Sequence, residues 1–473
     1  MRLRLAAIAS LLALAAGAWL WQPWLTPRER LARRSEPTGV KVVIVGIDGA
    51  TFRVMDPLIA QGKLPNFKRL IDAGARTPLQ SENPMLSPAL WTTIATGHSR
   101  EAHGITDFVT RSDPQRPNRQ SLVASSDRKT LALWNLASGF GRGVGFIGWW
   151  ATWPAEPVSG FMISDRFTRD RWNALLGGRK QEHKVFPEAL QAELTPLIVD
   201  PADPPMDEIA ALVSLTREEQ AELKAAKRPV FGHGLSVFKF AYCSQRSYEK
   251  MALQLLAKGQ PDLLGLFLVA NDPVSHCFWH FFEPEAFPAG VDPQLAARLG
   301  VLIPNFYVHN DAFLGELLAK LDKDTVVLIV SDHGFEASRQ LPALKPAPEM
   351  FEGPDAERAA LNGMIAVGQS GKHQIDGVLI AAGGPIRRGA TAKAGIRDIA
   401  PTVLALLGLP VPRDMGRVLK DLFEPAFLAR HPITRIATYE TLIDHQAVRA
   451  AAEVGEQSEA EKKELLRSLG YIQ

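Results

Sequence analysis

The chain has 473 residues, 46% of them hydrophobic and 22% charged, with a formal net charge of +2. These are globular values, enough for one large α/β domain with insertions or two to three ordinary domains, and the near-neutral body carries no basic patch that would advertise nucleic-acid binding. With only two cysteines, Cys243 and Cys277, a disulfide framework is excluded and one bridge at most is allowed.

The chain opens on "MRLRLAAIASLLALAAGAWLWQPW", in which Arg2 and Arg4 precede an apolar run from Leu5 to Trp21. The run is long for a signal-peptide core and slightly short for a relaxed membrane span of about 20 residues. Trp19, Trp21 and Trp24 resemble an interfacial belt, which favours an uncleaved anchor over a removed signal. Residues 1–25 are therefore expected to be a signal-anchor or signal peptide, followed by a linker over 26–40. Either reading exports the body, to the periplasm or the outside, with the membrane as a partner through this segment. No protein partner is implied.

Beyond the linker, "VVIVGIDG" is a short apolar run ending on Asp48, and "LPNFKRLIDAGAR" is a helix entered through Pro65 and closed near Gly74. Next comes "MLSPALWTTIATGHSREAHGI", in which Ser87 reads as a helix N-cap and Pro88 as the first helical residue. Between about 108 and 255 the strand–helix rhythm weakens, so this stretch is expected to be an inserted cap. The rhythm resumes with "LLGLFLVANDPVSH", where Asp272 follows the run and His276 comes four residues later. "NDAFLGELLAKLDKD" has helical spacing and leads into "VVLIVSDHGF", a run that stops on Asp332 and His333. His373 shortly precedes "GVLIAAGG", and "RDIAPTVLALLG" is an apolar helix stopped by Gly408. A domain over 41–424 results, with a helical tail over 425–473.

Runs of this kind read as strands buried on both faces, so the expected fold is α/β: a mostly parallel central sheet with helices on both faces and an inserted cap region. Ligands in such sheets lie at the carboxyl ends of the strands. One acid or imidazole at a strand end is an ordinary turn or core residue. Four strands repeating the pattern imply a shared site of Asp48, Asp272, His276, Asp332, His333 and His373. Three carboxylates and three imidazoles suit zinc first, with manganese or iron as alternatives, and six ligands fit two adjacent divalent ions. Ser87 can cap its helix and also act as a nucleophile, because direct metal coordination activates a hydroxyl.

Taken together, "GIDG", "SPALWTTIATG" with "HGI", "ND…H", "SDHG" and "KHQIDGVLIAAGGPI" resemble the alkaline phosphatase superfamily, and within it the type I phosphodiesterase/nucleotide pyrophosphatase branch. The resemblance implies that Asp48, Ser87, Asp332 and His333 hold one metal and that Asp272, His276 and His373 hold the other. It also implies that Ser87 stands where the family's nucleophile stands. The activity implied is hydrolysis of a phosphate ester, diesters first, through a phosphoseryl intermediate. The alternative is a phosphomonoesterase or a phosphoryl transferase of the same superfamily.

The sequence departs from that branch at Leu90, where characterised nucleotide pyrophosphatases carry an Asn that helps hold the phosphoryl oxygen. Asn271 and Lys372, each beside a ligand, are candidate substrate-binding substitutes. "SPALW" lacks the residue pattern that a formylglycine sulfatase needs. His280, one turn after His276, and the tryptophans 149, 150 and 153 are expected to be packing residues, His103 a structural histidine, and Asp165 a weak candidate for substrate contact.

Overall fold

The computed structural model describes residues 35, 37–110, 121–169, 182–227, 234–339 and 369–440. The predicted leader over 1–25, most of the linker and the predicted helix of the tail's last residues lie outside them.

Among the described residues, nine strands form one mixed sheet. They are β1 (Val42–Ile47), β2 (Ala75–Gln80), β3 (Val144–Ile147), β4 (Gly160–Ile163), β5 (Val185–Phe186), β6 (Leu263–Leu268), β7 (Val326–Val330), β10 (Asp376–Ala382) and β11 (Ala394–Gly395). The order across the sheet is β11-β2-β10-β7-β1-β6-β3-β4-β5. β8 (Gly334–Ala337) and β9 (Gly371–Gln374) form a separate antiparallel pair. The centre is parallel: β1 pairs in parallel with β6 and β7, and β3 and β4 continue in the same direction. β10 runs antiparallel to both β7 and β2.

The central strands are buried at every residue because helices cover both faces. Val42 and Ile44 pack with Leu90, Trp91 and Ile94 of α3 (Ser87–Thr96), while Val43 and Val45 face the opposite layer. That layer comprises α1 (Phe52–Ala60), α2 (Pro65–Ala73), α5 (Gly234–Lys258), α6 (Asn271–Phe282) and α7 (Leu302–Leu318). The period of two along each strand sends neighbouring residues to opposite layers, and each fully buried aliphatic side chain contributes about 1.5–3 kcal/mol. α2 begins at Pro65 as predicted, but its N-cap, Leu64, has no capping side chain. Asp311 of α7 supplies the missing acceptor, taking the N–H groups of Asn66 at 3.0 Å and Phe67 at 2.8 Å. α4 (Arg217–Ala225) starts with a capping box between Thr216 and Glu219, and α8 (Ile399–Leu406) ends just before Gly408, which has φ +71.

Two sequence expectations need correction. The stretch 108–255 does not simply interrupt the sheet: it contributes β3, β4 and β5, which extend the sheet beyond β6. β3 and β4 have four residues each and a glycine apiece, too short to stand out as apolar runs. Ser87 is not the N-cap of α3 but its first helical residue, the cap being Leu86 with Pro88 following. Proline is tolerated in either register because the first turn's N–H groups have no partner within the helix.

Candidate active site

β1, β6 and β7 end at one edge of the sheet, and each delivers a carboxylate there. Asp48 follows β1 directly, Asp332 and His333 follow β7, and Asp272 lies in the first turn of α6, just after β6. His276 is one helical turn further along α6, on the same side as Asp272. His373 arrives from β9; because β10 runs antiparallel, the segment before it starts at the edge where the parallel strands end. Turn geometry ties these loops together. The Gly49 N–H approaches Asp332 Oδ1 at 3.4 Å, and the Ala50 N–H donates to Ser331 Oγ at 2.8 Å. Gly49 has φ +68, and a Cβ there would stand 2.4 Å from the Phe335 ring, so only glycine fits.

Two triads result, Asp48–Asp332–His333 and Asp272–His333–His373, with ligand atoms within 4.8 Å of one another in each. His276 adjoins the second, its Nε2 lying 3.4 Å from Asp272 Oδ1 and 2.9 Å from His373 Nε2. His373 Nε2 is itself 3.0 Å from Asp272 Oδ1. The Ser87 hydroxyl is 3.5 Å from Asp48 Oδ1. The rings of His333 and His373 are stacked with centroids 3.6 Å apart, and Phe335 packs edge-on against His276 and His373.

The backbone fixes what these imidazoles present. Nδ1 of His276 faces Gly371 O at 2.8 Å, Nδ1 of His373 faces Met85 O at 3.0 Å, and Nδ1 of His333 faces Gly334 O at 3.1 Å. A carbonyl only accepts, so each Nδ1 carries a proton and each ring turns its Nε2 toward the carboxylates. Three ring nitrogens thus converge on three carboxylates. His333 Nε2, Asp48 Oδ2 and Asp332 Oδ2 are buried with no hydrogen-bond partner. Such an arrangement is repulsive without a cation and is what metal-ligating histidines, oriented through their other nitrogen, provide. The donor set therefore fits divalent metal.

The electrostatics agree. Asp48, Asp272, Asp332 and His333 are at most 1% exposed. Burial, then repulsion from Asp332 and Asp272, pushes the Asp48 carboxyl well above the ordinary range. Burial pushes Asp332 up to about 8, and the Asp272 charge adds to it. Burial also raises Asp272, but His276 and His373 outweigh it and hold that carboxyl well below its usual value. Burial and the neighbouring His373 hold the His333 imidazole well below its ordinary value. In this protein alone, Asp48 and Asp332 can share the space beside ionised Asp272 only by keeping protons; divalent cations would replace those protons.

The sequence profile of the type I phosphodiesterase/nucleotide pyrophosphatase family matches residues 42–349. The chain belongs to this family. It is accordingly a phosphoester hydrolase. Similar solved structures include human ectonucleotide pyrophosphatase/phosphodiesterase 5, with TM-score 0.47, 14% identity, and coverage of 81% of this chain and 100% of that one. The alkaline phosphatase PafA has TM-score 0.46 and 13% identity, covering 81% of this chain and 98% of its own. Murine ectonucleotide pyrophosphatase/phosphodiesterase 5 has TM-score 0.45 and 15% identity, covering 81% and 100%. Among curated proteins no sequence matches the chain.

Not every sequence-predicted residue of this phosphodiesterase reaches the cluster. Lys372 does not: on β9 it alternates with His373, so it faces the other way and pairs with Glu336 at 3.0 Å on the surface. Asn271 is buried beside Asp272, where its Oδ1 accepts from Asn310 Nδ2 at 2.7 Å and its Nδ2 donor takes no part in that bond. His103 is structural, accepting the Ile105 N–H at 3.2 Å and bonding Thr93 at 3.0 Å. His280 packs against Phe281 and Phe287. Trp149 and Trp150 lie in the core, and the Trp149 indole N–H donates to Trp91 O at 3.1 Å. Trp153 donates to Glu182 O at 2.9 Å and lies under the Arg166 guanidinium. The Asp165 backbone and side chain both engage Thr152, two strands from the cluster. Cys243 is buried and Cys277 half-buried, and the two are not joined in a disulfide. Among the described residues no helix is long and apolar enough to cross a membrane, and the apolar run of the leader lies outside them.

Sequence reasoning passed over Ser331 and Phe335. Ser331 Oγ donates to His333 O at 2.7 Å while accepting from Ala50, locking the Asp332–His333 turn to the Asp48 turn. Its position immediately before the ligand pair was the available signal.

Proposed function

We propose that this protein is an exported two-metal phosphodiesterase with Ser87 as its nucleophile. The carrying observation is the Ser87 hydroxyl, fully buried at the start of α3 and 3.5 Å from Asp48 within a ring of carboxylates and imidazole nitrogens. Asp48, Ser87, Asp332 and His333 would hold one divalent ion, and Asp272, His276 and His373 the other. Zinc suits this oxygen and nitrogen set best, with manganese or iron as alternatives. When bound, the ions supply neutralisation of the phosphoryl oxygens, a lowered serine pKa and support for the leaving oxygen.

The chain's own groups do the rest. Ser87 Oγ attacks phosphorus in line; its bond to phosphorus forms as the ester bond breaks, its proton passes to solvent, and the departing alcohol takes one up. The positive end of the α3 dipole lies at Ser87 and favours the phosphoryl charge that an Asn at position 90 would otherwise help to hold. Water then displaces the serine, releasing a phosphomonoester and restoring the hydroxyl. Two displacements give net retention at phosphorus.

Bis(4-nitrophenyl) phosphate tests the reading against the mono-aryl ester, whose faster turnover would favour a monoesterase. Ser87→Ala should abolish turnover while metal content, measured by elemental analysis, stays at the parental level. Parental turnover in that variant would exclude the covalent route. Export is supported by Arg2 and Arg4 ahead of the apolar run from Leu5 to Trp21; recovery of full-length chain in the soluble cytoplasmic fraction would refute it.

A further inference from the structure

Beneath the metal cluster, side chains from three helices form a chain of amides whose orientations are all determined. The backbone N–H of Ala270 can only donate, and it donates to Gln245 Oε1 at 3.0 Å. Gln245 Nε2 must then face the other way, toward Asn310 Oδ1 at 2.8 Å and Glu249 Oε1 at 2.9 Å. Asn310 Nδ2 is thereby directed to Asn271 Oδ1 at 2.7 Å. No amide in the series can flip without placing two donors or two acceptors face to face. Gln245, Asn310 and Asn271 are at most 2% exposed.

The same helix reaches the other ligand loop. Tyr307 stands one turn before Asn310 on α7, so the two side chains share a face. Its hydroxyl accepts the Thr51 N–H at 3.0 Å. Thr51 comes three residues after Asp48, and Asn271 comes immediately before Asp272. One rigid helix thus grips the loop of each metal position from below.

We propose that Tyr307 and Asn310, braced by Gln245, are positioning residues that set the spacing between the Asp48 loop and the Asp272 loop and so tune metal affinity at both positions. Asn271 joins this relay through its Oδ1, which orients the amide beside Asp272. The inference rests on the metal-binding reading above but not on the identity of the ester. Outer contacts of this sort are worth about 10–100-fold in metal affinity. They matter here because the ligands sit on separate strands, so any drift between strands alters the distances between donors.

The test is zinc binding to metal-stripped protein, followed by competition with a chromogenic chelator, for the parent, Tyr307→Phe and Asn310→Ala. Tyr307→Phe keeps the ring and loses only the acceptor, so it guards against a variant that fails to fold. Tyr439→Phe is the control: it loses a buried hydroxyl bonded to Pro410 O at 2.5 Å, far from the ligand loops in sequence. Both relay variants should bind zinc about 10–100-fold more weakly, with turnover restored by excess zinc and KM unchanged. Zinc dissociation constants that move no more than in Tyr439→Phe would overturn the proposal. Weakened binding in a protein that hydrolyses no phosphate ester would support the relay and sink the hydrolase mechanism instead.

Discussion

Gly46→Ala should damage the site from within the sheet. A Cβ at this position would lie 2.5 Å and 2.7 Å from two carbons of the Trp91 ring and 3.5 Å from Trp149. Carbon contacts are comfortable at about 3.5–4.0 Å, so the ring must retreat by about 1 Å. It has nowhere to go alone, since it stands edge-to-face against Trp149 and Phe267 with centroids 5.1 Å and 4.9 Å away. The retreat therefore passes to α3, whose first residue, one turn before Trp91, is Ser87. Overpacking of this size costs about 1–3 kcal/mol. A displacement of about 1 Å between nucleophile and reaction centre costs on the order of 10²-fold in rate. Thermal unfolding followed by circular dichroism, and kcat for the bis-aryl ester at saturating zinc, measure the two effects. The double variant Gly46→Ala with Trp91→Phe restores space and should recover part of both. A single variant that melts early yet keeps parental kcat would break the link between Trp91 packing and Ser87 placement, as would a double variant no better than the single.

Zinc affinity should rise with pH. Below about 8 the metal-free protein keeps a proton on Asp332, and binding must expel it, so affinity climbs about tenfold per pH unit and flattens above that value. Chelator competition at about unit steps between roughly pH 6 and 9 checks it, and a flat profile would refute the shared-proton picture. Arg128→Met should destabilise the protein by about 3–5 kcal/mol in urea unfolding, because it strands Glu156, whose oxygens each lie 2.9 Å from the Arg128 guanidinium in the core. Replacing both partners with apolar residues should recover most of that loss; a double variant as unstable as the single would place the cost in the Trp134 and Asn135 contacts to Glu156 instead.

The apolar runs that end on Asp48, Asp332 and near Asp272 were legible because a strand buried on both faces leaves no polar alternation, and the acid that follows marks its end. Strand direction was not legible. β10 is as apolar as β7, and nothing in "GVLIAAGG" says that it runs antiparallel; yet that reversal is what brings His373 to the edge. Lys372 failed for a local reason: once Gly371–Gln374 is a strand, side chains one residue apart cannot share a face. The relay of Gln245, Asn271, Tyr307 and Asn310 had no sequence signature, since its members are ordinary residues on three helices and gain meaning only when α5, α6 and α7 pack together. β3 and β4 were hidden by brevity, and so the sheet was read as narrower than it is.

His333 is the donor that both triads claim, and it can serve only one. Its Nε2 lies 3.5 Å from Asp48 Oδ1, 3.5 Å from Asp332 Oδ2 and 3.7 Å from Asp272 Oδ1. Ligands on a tetrahedral zinc with bonds of about 2.0–2.1 Å stand about 3.3 Å apart, so all three spacings are compatible, and the two shorter ones favour the Asp48 side. Asp272 and His373 then need a third partner, and His276 Nε2, 3.4 Å and 2.9 Å from their donor atoms, is placed to be it. His276→Ala should therefore lose about one of two zinc equivalents, whereas the Asp48–Asp332–His333 set keeps its ion. Elemental analysis after gel filtration measures this directly, and two equivalents retained would mean that His333 serves the Asp272 side. On the proposed assignment Ser87 goes with the surviving set, so the nucleophile would remain activated while the leaving oxygen loses its support. That places the rate loss in His276→Ala on ester cleavage, and esters with better leaving groups should suffer less.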